Sequence, residues 1–169
     1  MSTPDRILVA AIPSPLGTIH LAALGGVLCA VSFDDYWPRE QQQLARRFGA
    51  ASFEPAARLD AVSAFARYFE GDTSALDALA ADPGGTAFQA RVWRALRGIP
   101  PGHTCSYGEL AASIGLPSSV RAVAAANGRN PIPLVIPCHR VIGADGRLVG
   151  YGGGLDRKAW LLRHEGAIL

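Results

Sequence analysis

The chemistry in this 169-residue chain centres on one cysteine. Cys138 stands in the run Pro131-Ile132-Pro133-Leu134-Val135-Ile136-Pro137-Cys138-His139-Arg140-Val141, at the end of an apolar stretch and directly before a histidine. The thiolate, not the thiol, is the nucleophile, and a nearby imidazole can lower a cysteine pKa from ~8.5 by several units. Adjacency in sequence does not aim a ring at a sulfur, so the Cys-His pair alone admits both a nucleophile and a buried small hydrophobe. The remaining cysteines, Cys29 and Cys105, are widely spaced and form no Cys-x-x-Cys pair. An odd count without a secretion signal argues against a disulfide framework. His20, His103, His139 and His164 do not fall at zinc-ligand spacings, so no metal and no cofactor are expected.

The elements that must position Cys138 read from hydrophobic period and turn residues. Residues 7–12, 18–23 and 27–33 are β-branched or apolar runs separated by Pro13-Ser14-Pro15-Leu16-Gly17 and Gly25-Gly26, a pattern for a small antiparallel meander. Helices follow over 39–48 and 57–69, the second with Leu59, Val62, Phe65, Ala66 and Phe69 at helical spacing. Residues 71–85 are acidic and polar and end in Asp82-Pro83-Gly84-Gly85, which marks a domain boundary. The expected domains are therefore 1–85 and 86–169.

Beyond the boundary, Thr86 and Gln89 have capping-box spacing, and Phe88, Val92, Leu96 and Ile99 mark the buried face of the helix they open. A short helix over 106–114 and another from Ser118 or Ser119 to about Ala126 flank Gly115-Leu116-Pro117. The pair is either a helix-turn-helix or an ordinary αα corner. Ala122, Ala124, Ala125 and Ala126 leave the second helix nearly free of bulk, with Val120 and Val123 as its core anchors. Residues 134–136 read as a short buried strand leading to Cys138.

Charge is divided unevenly. Residues 1–85 hold six Arg and ten Asp plus Glu, a net −4, whereas residues 86–169 hold nine Arg, one Lys and four acids, a net +6. A basic C-terminal half fits a polyanionic partner such as nucleic acid, or simply a solvated surface in an Arg-rich chain. The first residues lack a basic region followed by a long apolar stretch, and no run nears the roughly 18 apolar residues of a membrane span. A cytoplasmic protein without membrane association is expected.

The segment IPCHRV at 136–141 resembles the active-site signature of the O6-alkylguanine-DNA alkyltransferases, or methylated-DNA–protein-cysteine methyltransferases. The likeness extends, in family order, through TAFQARVWRALRGIPPG at 86–102, SYGELA at 106–111, VRAVAAANGRNPIP at 120–133, VIGADGRLVGYGGG at 141–154 and RKAWLLRHEG at 157–166. Residues 1–85 resemble the family's small sheet-bearing N-terminal domain more loosely, and the length is similar to the bacterial Ogt-type members. The resemblance implies an α+β chain: an N-terminal domain with a ribonuclease-H-like antiparallel sheet plus helices, then a mainly α domain with a helix-turn-helix.

It also implies roles. Cys138 matches the alkyl acceptor, His139 the base that takes its proton through a bound water, and Glu165 the carboxylate that orients the histidine, a triad logic shared with hydrolases. Asn130 matches the residue bracing the turn after the recognition helix. Tyr107 matches the tyrosine that bonds the flipped base and crowds the DNA phosphate. Arg121 matches the side chain that enters the vacated stack. Ala122, Ala125 and Ala126, with Ser106, would meet the DNA. Tyr151, Gly152, Gly153, Val141, Pro133 and Asn127 would line the base pocket, Asn127 making one wall more polar than in some relatives.

The implied partner is double-stranded DNA carrying O6-alkylguanine, bound in the minor groove by a protein that is monomeric in solution and could bind cooperatively along DNA. The implied reaction is a single irreversible transfer from O6-alkylguanine, and O4-alkylthymine as well. The rival readings are a lesion-binding relative without chemistry, a helix-turn-helix regulator and a cysteine hydrolase. They leave Cys138, the triad residues, or the basic half with the alanine-rich helix, respectively, unexplained.

Overall fold

The computed structural model describes residues 5–49 and 52–169. Residues 1–4, the start of the segment read for a secretion signal, and residues 50–51 lie outside that description. The chain divides into two units, Met1–Pro83 and Gly84–Leu169.

In the first unit the three apolar runs form β1 (Arg6–Ile12), β2 (Ile19–Leu24) and β3 (Val27–Phe33), paired antiparallel in sequence order. A 3₁₀ turn at Asp34–Tyr36 leads into α1 (Trp37–Phe48), which starts two residues earlier than its periodicity suggests because Pro38 is tolerated in the first helical turn. The sheet is not purely antiparallel as expected. Ser52–Pro55 forms β4, parallel to β1 at the sheet edge, giving the order β3-β2-β1-β4. Four residues with a proline and no β-branched side chain carry little strand propensity, and pairing with β1 decides their conformation. α2 spans Asp60–Phe69 and buries Ala61, Ala64, Phe65 and Tyr68, so its inner face is rotated from the expected stripe and Ala66 is exposed. Ile7, Ala22, Cys29, Ala30 and Leu44 form a core cluster beneath α1.

The second unit opens with α3 (Ala87–Arg97). Its capping box is complete: Thr86 Oγ1 accepts from the Gln89 N–H at 3.1 Å, and Gln89 Oε1 accepts from the Thr86 N–H at 3.0 Å. Val92, Trp93 and Leu96 are buried, and the Trp93 indole N–H donates to the Ala126 carbonyl at 2.8 Å. That bond ties α3 to α5 (Val120–Gly128), the second helix of the expected pair. The first is α4 (Tyr107–Ser113), capped by Ser106, whose Oγ accepts from the Glu109 N–H. Of the two valines expected to anchor α5, Val123 is buried, whereas Val120 is exposed because it stands in the first turn before the helix meets the core.

Residues 134–136 are buried as expected but are not a strand. Pro133 and Ile136 form an isolated bridge around a tight turn, with Leu134 at a φ of 70°. The backbone bonds close locally, Ile136 N–H to the Ile132 carbonyl at 2.9 Å, so no partner strand is needed. Cys138–Arg140 then make one 3₁₀ turn, and Val141–Ile142 form β6, which pairs in parallel with β5 (Cys105–Ser106). α6 (Leu155–His164) ends at Glu165.

Candidate active site

Cys138 is 6% exposed and sits at the start of its 3₁₀ turn, so the thiol, His139 and Arg140 share one rigid backbone unit. Burial pushes the thiol pKa up, opposed by a hydrogen bond from Asn130 and by the charge of Lys158. A thiol kept protonated by burial needs a base before it can attack.

The next residue, His139, is a candidate for that base. Its ring is fully buried, with Nε2 2.9 Å from Glu165 Oε1. Glu165 caps α6 with its side chain entirely inside the protein. Burial raises its pKa, but hydrogen bonds from Arg140 and His139 outweigh that and bring it down to about 2. A carboxylate can only accept, so His139 carries its proton on Nε2 and leaves the lone pair on Nδ1. Nδ1 is buried and makes no hydrogen bond among the described residues. Burial lowers the His139 pKa, with the Glu165 contacts opposing, so the ring is neutral and able to take a proton.

Asn130 acts as expected of a brace. Its Nδ2 donates to the Ile136 carbonyl at 2.7 Å, and its Oδ1 accepts from the Ile132 N–H at 2.9 Å, closing the turn before Cys138. Asn127, also buried, places Nδ2 3.5 Å from the Cys138 carbonyl, while its Oδ1 makes no hydrogen bond among the described residues. The Tyr107 hydroxyl donates to the Val149 carbonyl at 3.1 Å. Its pKa is raised by burial and by the charge of Cys138, with a hydrogen bond from Asn127 opposing, so Cys138, Tyr107 and Asn127 share one neighbourhood. Gly150 at φ +60° lies against that hydroxyl: a Cβ there would stand 3.4 Å from it.

The other expected residues divide. Arg121, Ala122 and Ala125 are exposed on α5. Ala126 is not available to a groove: it is 3% exposed and its carbonyl is taken by Trp93. Ser106 spends its hydroxyl on the α4 cap. Val141 is buried, Pro133 and Tyr151 are half-buried, and Gly152 and Gly153 sit in the loop before α6, where Gly153 accepts from Arg157. Among the described residues no group of three or more His, Cys, Asp or Glu could hold a metal ion. Among the described residues, too, no helix is long and apolar enough to cross a membrane.

Residues 87–167 match the family described as 6-O-methylguanine DNA methyltransferase, DNA binding domain. A methylated-DNA–protein-cysteine methyltransferase of Salmonella typhimurium is 44% identical over 171 residues, spanning 97% of this chain and 98% of the relative. The chain belongs to the methylated-DNA–protein-cysteine methyltransferase family. Another methyltransferase of that description, from Mycolicibacterium paratuberculosis, is 47% identical over 154 residues, 91% of this chain and 89% of the relative. The crystal structure of Mycobacterium tuberculosis O6-methylguanine methyltransferase matches at a TM-score of 0.78 and 42% identity, over 95% of this chain and 93% of that one. That of M. tuberculosis OGT in complex with DNA matches at 0.79 and 41%, over 96% and 93%.

Two buried cations complete the site in this methyltransferase, and the sequence reading misses both. Lys158 is fully buried, and its Nζ donates to the carbonyls of Val141, Val149 and Gly150 at 2.5, 2.9 and 3.1 Å. Burial brings its pKa down to about 8, opposed by Cys138. A compact ammonium with three rotatable donors suits three converging carbonyls better than a planar guanidinium. The available clue was composition: this is the one lysine among sixteen basic residues. Arg140, 4% exposed, binds both oxygens of Glu165. Being the arginine of the signature run, it carries no spacing that separates it from a surface residue.

Proposed function

We propose that this DNA-repair alkyltransferase moves the alkyl group of O6-alkylguanine, and of O4-alkylthymine, onto Cys138 and is consumed by doing so. The observation that supports this most directly is the coupled arrangement at the 3₁₀ turn. A buried thiol adjoins a buried neutral imidazole whose Nε2 is held by an ionised carboxylate and whose Nδ1 makes no hydrogen bond among the described residues. In this reading the Cys138 proton passes to His139 Nδ1 through a water. Sγ then displaces the base oxygen from the alkyl carbon, forming the C–S bond as the C–O bond breaks. The Tyr107 hydroxyl gives the departing base its proton and is reprotonated from His139 through solvent. A thioether is not hydrolysed by an imidazole and water, so one molecule performs one transfer.

The alkylated oxygen is buried in the DNA stack, and extruding the nucleotide costs roughly a few kcal/mol. Arg121, exposed in the first turn of α5, would fill the vacated space, while Ala122 and Ala125 allow the helix backbone to approach the minor groove. Asn127 and the loop at Tyr151–Gly153 would meet the base. Phosphate contacts from the basic half carry no sequence information, so little sequence preference is expected.

The test is intact-protein mass after mixing with an oligonucleotide bearing O6-methylguanine. One added methylene mass, confined to Cys138, is expected. Cys138→Ala should gain nothing while still binding the duplex. Full transfer in that variant would overturn the assignment. Cys29→Ser and Cys105→Ser should each still accept one group, since those thiols lie in β3 and β5, outside the turn that carries His139.

A further inference from the structure

Glu165 serves two donors with one oxygen. Oε1 lies 2.9 Å from His139 Nε2 and also accepts from Arg140 Nε at 2.9 Å. Oε2 accepts from Arg140 Nη2 at 2.8 Å. The third branch of the guanidinium, Nη1, donates to the Ile99 carbonyl at 2.6 Å, just past the end of α3. All three nitrogens of Arg140 are therefore engaged in an interior that leaves its side chain 5% exposed. Nothing in the reaction proposed above uses this residue, yet burying a guanidinium without a function is expensive.

Its geometry limits what the neighbours can do. A bidentate fork fixes both the plane and the rotation of a carboxylate, which a single-point ammonium cannot. With Glu165 immobile, the His139 N–H has one direction in which to donate. Sharing Oε1 also weakens its pull on the imidazole proton, so that proton stays on Nε2. The fixed positive charge of Arg140 beside the ring opposes a second positive charge there.

We propose that Arg140 is a positioning residue for alkyl transfer: its fork on Glu165 keeps Nε2 of His139 on the carboxylate and Nδ1 available, and holds the ring neutral until Cys138 releases its proton. This rests on the reading of Cys138 as acceptor and His139 as base. The charged and titratable groups facing His139 are Glu165 and Lys158 from α6, and Arg140 and Cys138 from its own turn. Of these, Glu165 favours the protonated ring, and Arg140 and Lys158 disfavour it. Removing Arg140 takes away an opposing charge and the donor that shares Oε1 with His139, and both changes make the ring more basic.

The experiment is the single-turnover rate of Cys138 alkylation by O6-benzylguanine, a free base that needs no duplex, from pH 5 to 9. It compares the parent with Arg140→Met and Arg140→Lys and takes a melting curve for each. In Arg140→Met the acid limb of the profile should move up by about one unit or more, and the rate at pH 7 should fall at least about tenfold. Arg140→Lys restores the charge without the fork, so its limb should return towards the parent position while its plateau stays lower. An unshifted limb in Arg140→Met, with the rate lowered equally at every pH, would show a merely structural residue and overturn the proposal. If Arg140→Met does not fold, Arg140→Lys decides alone: a plateau equal to the parent's overturns the positioning role. A parent that takes up neither the benzyl group nor a methyl group from an O6-methylguanine oligonucleotide would instead sink the acceptor reading itself.

Discussion

Glu165 is a carboxylate kept ionised where burial alone would neutralise it. Its pKa falls from 4.5 to about 2, so it contributes stability that is fully present above the unfolded value and is lost as pH drops from about 5 towards 2. At about 1.4 kcal/mol per unit the contribution is ~3 kcal/mol. Glu165→Gln removes it and breaks the buried Arg140–Glu165 ion pair, a change that typically costs ~3–5 kcal/mol. Denaturant unfolding should show the variant clearly weaker at pH 7, with parent and variant converging as pH approaches 2. The same substitution should slow alkyl transfer ~10²–10⁴-fold at saturating DNA, because the imidazole loses its orienting acceptor. An equal rate in parent and variant would remove Glu165 from the mechanism.

At the scale of elements, one charge is misplaced on α1. Glu40 lies one turn before the buried Leu44 and so faces the core of its unit, and burial raises its pKa to about 7, opposed by Arg39. The folded state here prefers the neutral acid, so stability declines as pH rises from 4.5 to 7 and the penalty persists above that. Glu40→Gln should therefore raise Tm at pH 8, by the equivalent of ~1–3 kcal/mol, and leave it unchanged at pH 4. A gain of the same size at both pH values would mean that repacking, not ionisation, is responsible. The first three strands and the capped α3 were legible because alternation, Gly-Gly punctuation and the Thr86–Gln89 spacing are local codes. β4 was not, since Ser52–Pro55 becomes a strand only by pairing with β1. The 130–136 turn misled for the opposite reason: its apolar run is strand-like, but Asn130 closes it on itself. At the site, the resemblance pointed to Cys138, His139 and Glu165, which lie together in the structure, whereas Arg140 and Lys158 depend on carbonyls and a carboxylate brought together only by folding.

For the molecule as a whole, the net +6 of residues 86–169 against the −4 of residues 1–85 matches a DNA-binding role for the second unit. Arg121→Ala should lower the rate on a duplex substrate strongly and on free O6-benzylguanine little, because only the duplex must lose a stacked base. Equal losses on both would dismiss a space-filling role. The alkylated product should also differ from the free protein. Cys138 is buried, and inserting a group into a packed interior typically costs ~1–3 kcal/mol. Asn130 and Asn127 bond the turn to which the sulfur belongs, so the strain reaches the end of α5. Tm and DNA affinity should both fall after one equivalent of alkylation, and unchanged values would show that the pocket absorbs the group freely. The Trp93–Ala126 bond makes that movement visible. Its indole is 3% exposed and donates to the α5 backbone, while Trp37 stacks on His20 and Trp160 on His164. A variant keeping Trp93 as its sole tryptophan carries a fluorophore whose emission colour depends on whether α5 still accepts from the indole. The spent protein would then report its own inactivation as a spectral shift, without label, substrate or DNA.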